Sequence, residues 1–327
     1  MLRVFEHANF DFLGAPARRY LIITAVFAVI GLAVLALRGV NSSIEFTGGT
    51  LIQVRAADST ITIGRIRAAL IAGGNAGSEI STFGTARDFL IRAPIAADAA
   101  DTDAAAQTTA QAVGQALAAA FGPESYSVER VEAIGPKVGG ELRTRAWLAI
   151  LLSFGATLVY LTFRFEWRFG VAAIGATGQD ILLTIAFMAL MNLEVSLLVI
   201  AAMLTIVGYS LNDKIVVFDR VRENLHKYKR ENFPGILNRS VNETLPRTVL
   251  TGGSVIAALL ALLLLGGPVL RPFAWVMTFG VIIGTFSSMF VGSAILLGIE
   301  RRWPGEDVRG TKTLDAPRAQ PAATPAD

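Results

Sequence analysis

Six apolar runs, Tyr20–Leu37, Trp147–Phe163, Phe169–Met191, Val195–Phe218, Val249–Leu265 and Phe273–Ile299, constrain this chain more than anything else in it. Even the 20–37 run, at 1.5 Å per residue, is about 27 Å long as a helix and crosses the hydrocarbon of a bilayer with little tilt. Hydrocarbon offers the backbone no hydrogen bonds, so such runs fold as helices. A chain of 327 residues that is 53% hydrophobic and 17% charged, with a mean hydropathy of +0.54, is too apolar for a water-soluble globule. The expected fold class is an α-helical polytopic membrane protein with six transmembrane helices.

The connectors set its orientation. Arg164 and Arg168 lie between runs two and three, and Arg220, Arg222, Lys227, Lys229, Arg230 and Arg239 between four and five, with Arg301 and Arg302 after run six. The opposite connectors, 192–194 and 266–272, contribute only Arg271. Basic residues concentrate on the cytoplasmic side, so both termini, the 164–168 turn and the 219–246 segment are expected inside. Residues 1–19, with Arg3, Arg18 and Arg19, form the cytoplasmic N-terminus, and 20–37 an uncleaved first helix, since Leu37-Arg38-Gly39 is not a cleavage site. Helices two to six occupy 146–300. Val221, Leu225 and Tyr228 among charges make 219–246 an amphipathic segment expected to lie on the membrane surface. Residues 301–327 are a cytoplasmic tail, disordered from about 310, where Pro and Ala recur without an apolar period.

Between the first two helices, residues 38–145 read as one external α+β domain. Strands are expected at Ser43–Phe46 and Thr50–Arg55 around a Gly48-Gly49 hairpin turn, then at Phe89–Arg92 and Tyr126–Glu132. Helices are expected at Thr62–Ala72, ended by Gly73-Gly74, and at Ala99–Phe121. Helices on one side of a sheet are the natural closure of that order.

Several chemistries are excluded. There are no cysteines, and the two histidines, His7 and His226, lie outside the apolar runs, which leaves no metal site or thiol nucleophile. Neither a phosphate loop nor a nucleophile elbow is present, so the chain is not expected to be an enzyme and needs no cofactor. The net charge of +3 is small and the basic residues flank membrane runs, without a basic face interleaved with aromatics, so no nucleic-acid partner is expected. Transport work would draw on an ion gradient, worth about 2.3 kcal/mol per charge per 100 mV.

Ionisable residues inside the runs mark the candidate site, because each costs roughly 2.5 to 3.5 kcal/mol at a helix centre. Asp213 lies about 7 Å inside the cytoplasmic end of run four, and Arg247 opens run five from the same side, so the two reach one depth and can pair. A carboxylate whose pairing differs between two conformations changes its proton affinity with them, as proton coupling requires. A register-fixing ion pair with no proton traffic has the same sequence signature. Thr205, Tyr209 and Asp213 at i+4 spacing, with Asn212 beside them, suggest one polar buried side of run four. Asp180 sits near the middle of run three between Thr177 and Thr184. Gly280, Gly284, Ser288 and Gly292 form a small-residue ridge on run six, for close approach by another helix of this chain or of a partner.

Specific motifs carry a family resemblance. Gly208-Tyr209-Ser210-Leu211-Asn212-Asp213, followed by Val216-Val217-Phe218-Asp219-Arg220, resembles the fourth membrane segment of the SecF family. Glu45-Phe46-Thr47-Gly48-Gly49 is similar to that family's [DE]-F-T-G-G signature, and Leu245-Pro246-Arg247-Thr248 to the start of its fifth helix. The resemblance implies half of an RND-type transporter in the bacterial inner membrane, with a ferredoxin-like periplasmic head. It implies SecD as partner, contact with the SecYEG channel, and YajC and YidC as neighbours, in late proton-driven translocation of unfolded preprotein. Protons would be the coupling ion, with Asp213, Arg247 and Asp180 as the proton-coupling residues. A small-molecule or lipid exporter subunit and a passive assembly factor are the alternatives. Two positions depart from the family pattern: Gln179 stands where a histidine is usual, and Lys214 where a small hydroxyl residue follows the Asn-Asp pair, free to compete with Arg247 or to snorkel to the cytoplasmic interface.

Overall fold

The computed structural model describes residues 10–58, 60–94, 102–164 and 166–304. The start of the N-terminal segment and the tail read as disordered from about 310 lie outside them. Two layers of organisation follow from the sequence: a helical bundle and, between its first two long helices, a small domain built on a sheet.

The bundle consists of α1 (Ala15–Arg38), α5 (Pro136–Arg164), α6 (Trp167–Leu190), α7 (Leu197–Lys227), α8 (Phe233–Leu265) and α9 (Gly267–Arg302). Five helices among the described residues are long and apolar enough to cross a membrane: α1, α6, α7, α8 and the Val269–Arg302 part of α9. The expected run Trp147–Phe163 lies within α5, which is not among those five. Small residues set the helix spacing: a Cβ at Gly31 of α1 would meet the Ala186 Cβ of α6 at 2.3 Å, so those backbones touch. Phe187 stacks on Phe279 with ring centroids 4.2 Å apart, joining α6 to α9.

The 219–246 segment is not a separate element. It is the end of α7 and the start of α8, continuous with the apolar helices and joined by residues 228–232, where Asn232 accepts a hydrogen bond from Gly235 N and Pro234 occupies the first turn. Polar contacts join the two helices: Arg220 binds Glu243 at 2.6 Å, and Asn224 donates to Ser240 at 3.0 Å and to Glu243 at 2.8 Å. Phe10 N and Phe12 N donate to Asn242 and Asn238 of α8, each at 2.8 Å, and tie the segment before α1 to this hairpin.

The small domain carries β1 (Gly49–Ala56), α3 (Ile63–Ala72), β2 (Glu79–Phe83), β3 (Thr85–Ala93), α4 (Thr102–Phe121) and β4 (Tyr126–Ile134). Its antiparallel sheet has the order β2-β3-β1-β4. Ile52, Val54, Phe89 and Ile91 point from one face against Ile66 and Leu70 of α3 and Val113 and Leu117 of α4, forming a core separate from the bundle. Asp88 is held by the Thr85 hydroxyl at 2.7 Å and Arg55 at 2.7 Å, and these contacts keep its carboxyl below the usual carboxylate range despite its burial.

The expected strand Ser43–Phe46 is instead a four-residue helix, α2 (Ile44–Thr47), capped by the Ser43 side chain. Gly48-Gly49 is therefore not a hairpin turn but a helix-to-strand switch. Gly48 ends α2 at φ 73° and Gly49 opens β1 at φ 132°, both in the half of backbone space that side chains disfavour. The local alternation of residues 43–46 competes here with an N-cap, and the cap wins. β2 has no counterpart in the sequence reading because it is short and half exposed, and β3 runs longer than the expected 89–92.

Candidate functional site

The buried charge in the bundle is organised around Asp180 of α6 and Lys214 of α7, both side chains with no exposed surface. Lys214 Nζ donates to Asp180 Oδ2 at 2.7 Å, and Ser210, one turn before it, donates its hydroxyl to the same oxygen while accepting from Nζ. The Ser210 carbonyl oxygen lies 3.5 Å from Nζ. An ammonium has three N–H donors, and three acceptors surround this one. Lys214 thus neither snorkels to the cytoplasmic interface nor pairs with a group there: its burial is tolerated because charge and hydrogen bonds are both matched. Asp180 Oδ1 is buried without a hydrogen-bond partner among the described residues.

Asp213 is buried at 4% exposure, while Arg247 of α8 is exposed, and no ion pair joins them among the described residues. Arg247 stays within electrostatic reach of Asp213 and lines a cavity of about 510 Å³ with Tyr160, Asp219, Arg220, Glu223 and Glu243. Asp213 Oδ2 has no hydrogen-bond partner among the described residues. The expected pairing is thus replaced by Asp180–Lys214, with Asp213 adjacent. The polar face of α7 is also rotated from the expected one. Thr205 and Asn212 are exposed, Ser210 and Lys214 are buried, and Tyr209 points toward α8, where a Cβ at Gly252 would lie 3.6 Å from its hydroxyl. The i+4 pair Ser210–Lys214 carried the signal in the sequence, obscured because a lysine there reads as an interfacial residue. Of the remaining motif residues, Asp219 is exposed, Arg220 pairs with Glu223 and Glu243, and Gly208 has open space beside it.

The small-residue ridge of α9 packs on α7 of the same chain. A Cβ at Gly280 would meet Ile206, one at Gly284 would meet Ser210 at 3.0 Å, and one at Gly292 would meet Phe218 at 3.4 Å. The steps match in the same direction, so α7 and α9 run parallel, with buried Ser288 at the level of Lys214. Thr177 and Thr184 bond to their own helix backbone beside Asp180. Gln179 donates to Thr24 of α1 at 3.0 Å, a contact between helices that does not reach the triad.

The Leu197 end of α7 is fastened to the small domain. Glu45 of α2 accepts a hydrogen bond from Leu197 N, the first residue of α7, and a second from Ser43 Oγ. Ser43 N donates to Val195 O at 2.9 Å and Val195 N to Asn41 O at 2.7 Å. Arg92 of β3 forms an ion pair with Glu194 in the α6–α7 connector; burial pushes the Glu194 carboxyl above its ordinary range, an effect Arg92 only partly opposes. Phe46 is buried, Thr47 Oγ1 donates to Ser43 O at 3.2 Å, and a Cβ at Gly139 of α5 would lie 3.0 Å from Gly48 N. Residues 45–49 therefore occupy the junction of α5, α7 and the sheet.

Residues 113–302 match the family described as protein export membrane protein SecD/SecF, C-terminal. The chain belongs to the SecD/SecF family. Residues 33–59 match the SecD/SecF GG motif, which places the family's signature on the α2–β1 junction. A protein translocase subunit SecF of Gemmatimonas aurantiaca is 48% identical over 329 residues, covering 99% of this chain and 96% of that one. A SecF of Desulfurispirillum indicum is 41% identical over 84% of this chain and 87% of its own length. The crystal structure of SecDF from Thermus thermophilus, described as a translocon-associated membrane protein, superposes with a TM-score of 0.80 at 38% identity, covering 90% of this chain. This chain spans 39% of that longer SecDF chain. A SecDF structure in the super-membrane-facing form has a TM-score of 0.64 at the same 38% identity and coverage.

Proposed function

We propose that this chain is the SecF subunit of a bacterial Sec protein translocase, in which proton passage through the bundle moves the external domain to assist late preprotein translocation. The observation that carries the reading is the course of α7: its middle holds the buried Asp180–Ser210–Lys214 triad and Asp213, and its first residue is held by Glu45 of the external domain. A protonation event that alters charge balance in the bundle thereby acts on the helix the domain grips. Protons, rather than a cofactor, are the energy carrier in this reading.

The finer architecture belongs to the same proposal. α5 supplies the sixth span, supported by its exposed apolar residues Trp147, Leu148, Leu151 and Leu152 and by its position before the basic turn at Arg164 and Arg168. The strand order β2-β3-β1-β4, with helices after β1 and β3, supports a ferredoxin-like periplasmic head. The protein sits in the inner membrane with both termini cytoplasmic. SecD completes the bundle, the SecYEG channel is docked by the pair, and YajC and YidC are neighbours; the SecDF relative, more than twice as long as this chain, supports a fused form of the first pairing.

The test is preprotein translocation into vesicles holding the complex, with an imposed proton gradient. Asp213→Asn is expected to abolish the gradient-dependent part while assembly with SecD persists. Gradient stimulation intact in that variant would favour a passive assembly role.

A further inference from the structure

The triad has the composition of an alkali-cation site: a carboxylate oxygen of Asp180, the Ser210 hydroxyl and the Ser210 backbone carbonyl converge on one point buried in the bundle. Hard oxygen donors of this kind suit small monovalent and divalent cations. Here that point is filled by Lys214 Nζ, a cation attached to the chain. Resting on the proton-driven reading above, we propose that Lys214 is the ion-specificity residue: its ammonium permanently occupies the position a sodium ion would take, so that the chain couples to protons and not to Na⁺.

The argument is one of charge and space. A second cation at this point would meet an ammonium already 2.7 Å from the carboxylate and would find its oxygen donors engaged. Repulsion between unit charges a few Å apart is strong in a protein interior, and the Lys214 and Asp180 side chains have no exposed surface. A proton needs no coordination shell. It needs one lone pair, and Asp180 Oδ1 is a buried oxygen whose lone pairs meet no donor among the described residues. Protonation there forms an O–H bond on Asp180 as the O–H bond of the incoming hydronium breaks and releases water, and leaves the ammonium with Asp213, the preceding residue on α7, as its remaining counter-ion.

The groups facing the triad are consistent with this assignment. α1 brings Tyr20 near Asp180, α8 brings the exposed Arg247 toward Asp213, and α9 contributes the buried hydroxyls Ser287 and Ser288, so among the described residues Asp213 is the one carboxylate near the triad beyond Asp180, and its charge is already opposed by Lys214 and Arg247. Gly284 leaves the room in which Ser210 turns its hydroxyl to Asp180.

Two measurements decide it. Thermal unfolding of the purified full chain, in NaCl against choline chloride at equal ionic strength, is expected to give one midpoint for the wild type. Lys214→Ala, which opens the position, is expected to gain a midpoint rising with NaCl and not with choline. Asp180→Asn with Lys214→Ala is expected to lose that response. A sodium-specific rise in the wild type, or its absence in folded Lys214→Ala, overturns the proposal. Should Lys214→Ala fail to fold, Lys214→Gln takes its place, and the wild-type arm stands alone as a test. In vesicles holding the complex, an imposed proton gradient is expected to stimulate translocation equally with or without Na⁺; stimulation by a sodium gradient alone overturns the assignment. If neither gradient has an effect, the proton-driven reading fails, while the unfolding experiment still decides whether Lys214 excludes sodium.

Discussion

At the scale of single residues, the most exacting contact in the molecule is Lys214 on Asp180, where two side chains without exposed surface neutralise one another. Lys214→Met removes the cation and leaves a buried carboxylate unmatched, and is expected to lower stability by about 3–5 kcal/mol in thermal unfolding. Asp180→Leu combined with Lys214→Met should recover most of that loss, since an apolar pair of similar volume has no desolvation cost. A double variant as weak as the single one would locate the cost elsewhere. Gly49→Ala tests the α2–β1 switch: at φ 132°, and with the Ala93 carbonyl oxygen 3.1 Å from the added Cβ, it should destabilise the external domain by about 1–3 kcal/mol. Asp180 was legible in the sequence as a group too costly to be idle, but its partner was not. Helical spacing shows which residues share a face of one helix, and says nothing of which neighbouring helix that face meets.

Elements were legible in proportion to how much of their stability is local. The long apolar runs correspond to α1, α6, α7, α8 and α9, and the periodic Thr62–Ala72 to α3, because burial of a stripe is written in spacing. α2 was missed because four residues have no period to read, and its cap, Ser43, is one hydroxyl. The join between α2 and α7 was not legible at all, since Glu45 and Leu197 lie far apart along the chain. A carboxylate at a helix N-terminus meets both a free N–H and the positive end of the helix dipole. Glu45→Gln keeps the shape and removes the charge, and is expected to cost about 0.3–1 kcal/mol locally. Hydrogen exchange should show faster amides at residues 197–199, with the triad region unchanged; unchanged protection at 197–199 would mean that Glu45 does not hold α7.

For the whole molecule, acidity acts on its two parts with opposite sign. Asp88 has a carboxyl depressed by Thr85 and Arg55, so it stabilises the folded external domain above its unfolded value, and that contribution is lost as pH falls through the folded one. Glu194 is raised by burial, so its contribution is present below the unfolded value and is lost as pH rises through the folded one. Melting curves from about pH 3 to 8 should show Asp88→Asn flattening the acid side. Glu194→Gln should gain on the wild type as pH rises; the reverse order would show that the Arg92 pair outweighs burial. α7 has one further implication. It is unbroken over 31 residues, about 46 Å, with one end held by Glu45 of the small domain, the other bonded into the α7–α8 hairpin, and the buried Asp213 and Lys214 between. A rod held in this way carries a tilt about its middle to both of its ends at once, in opposite directions and with no messenger between them.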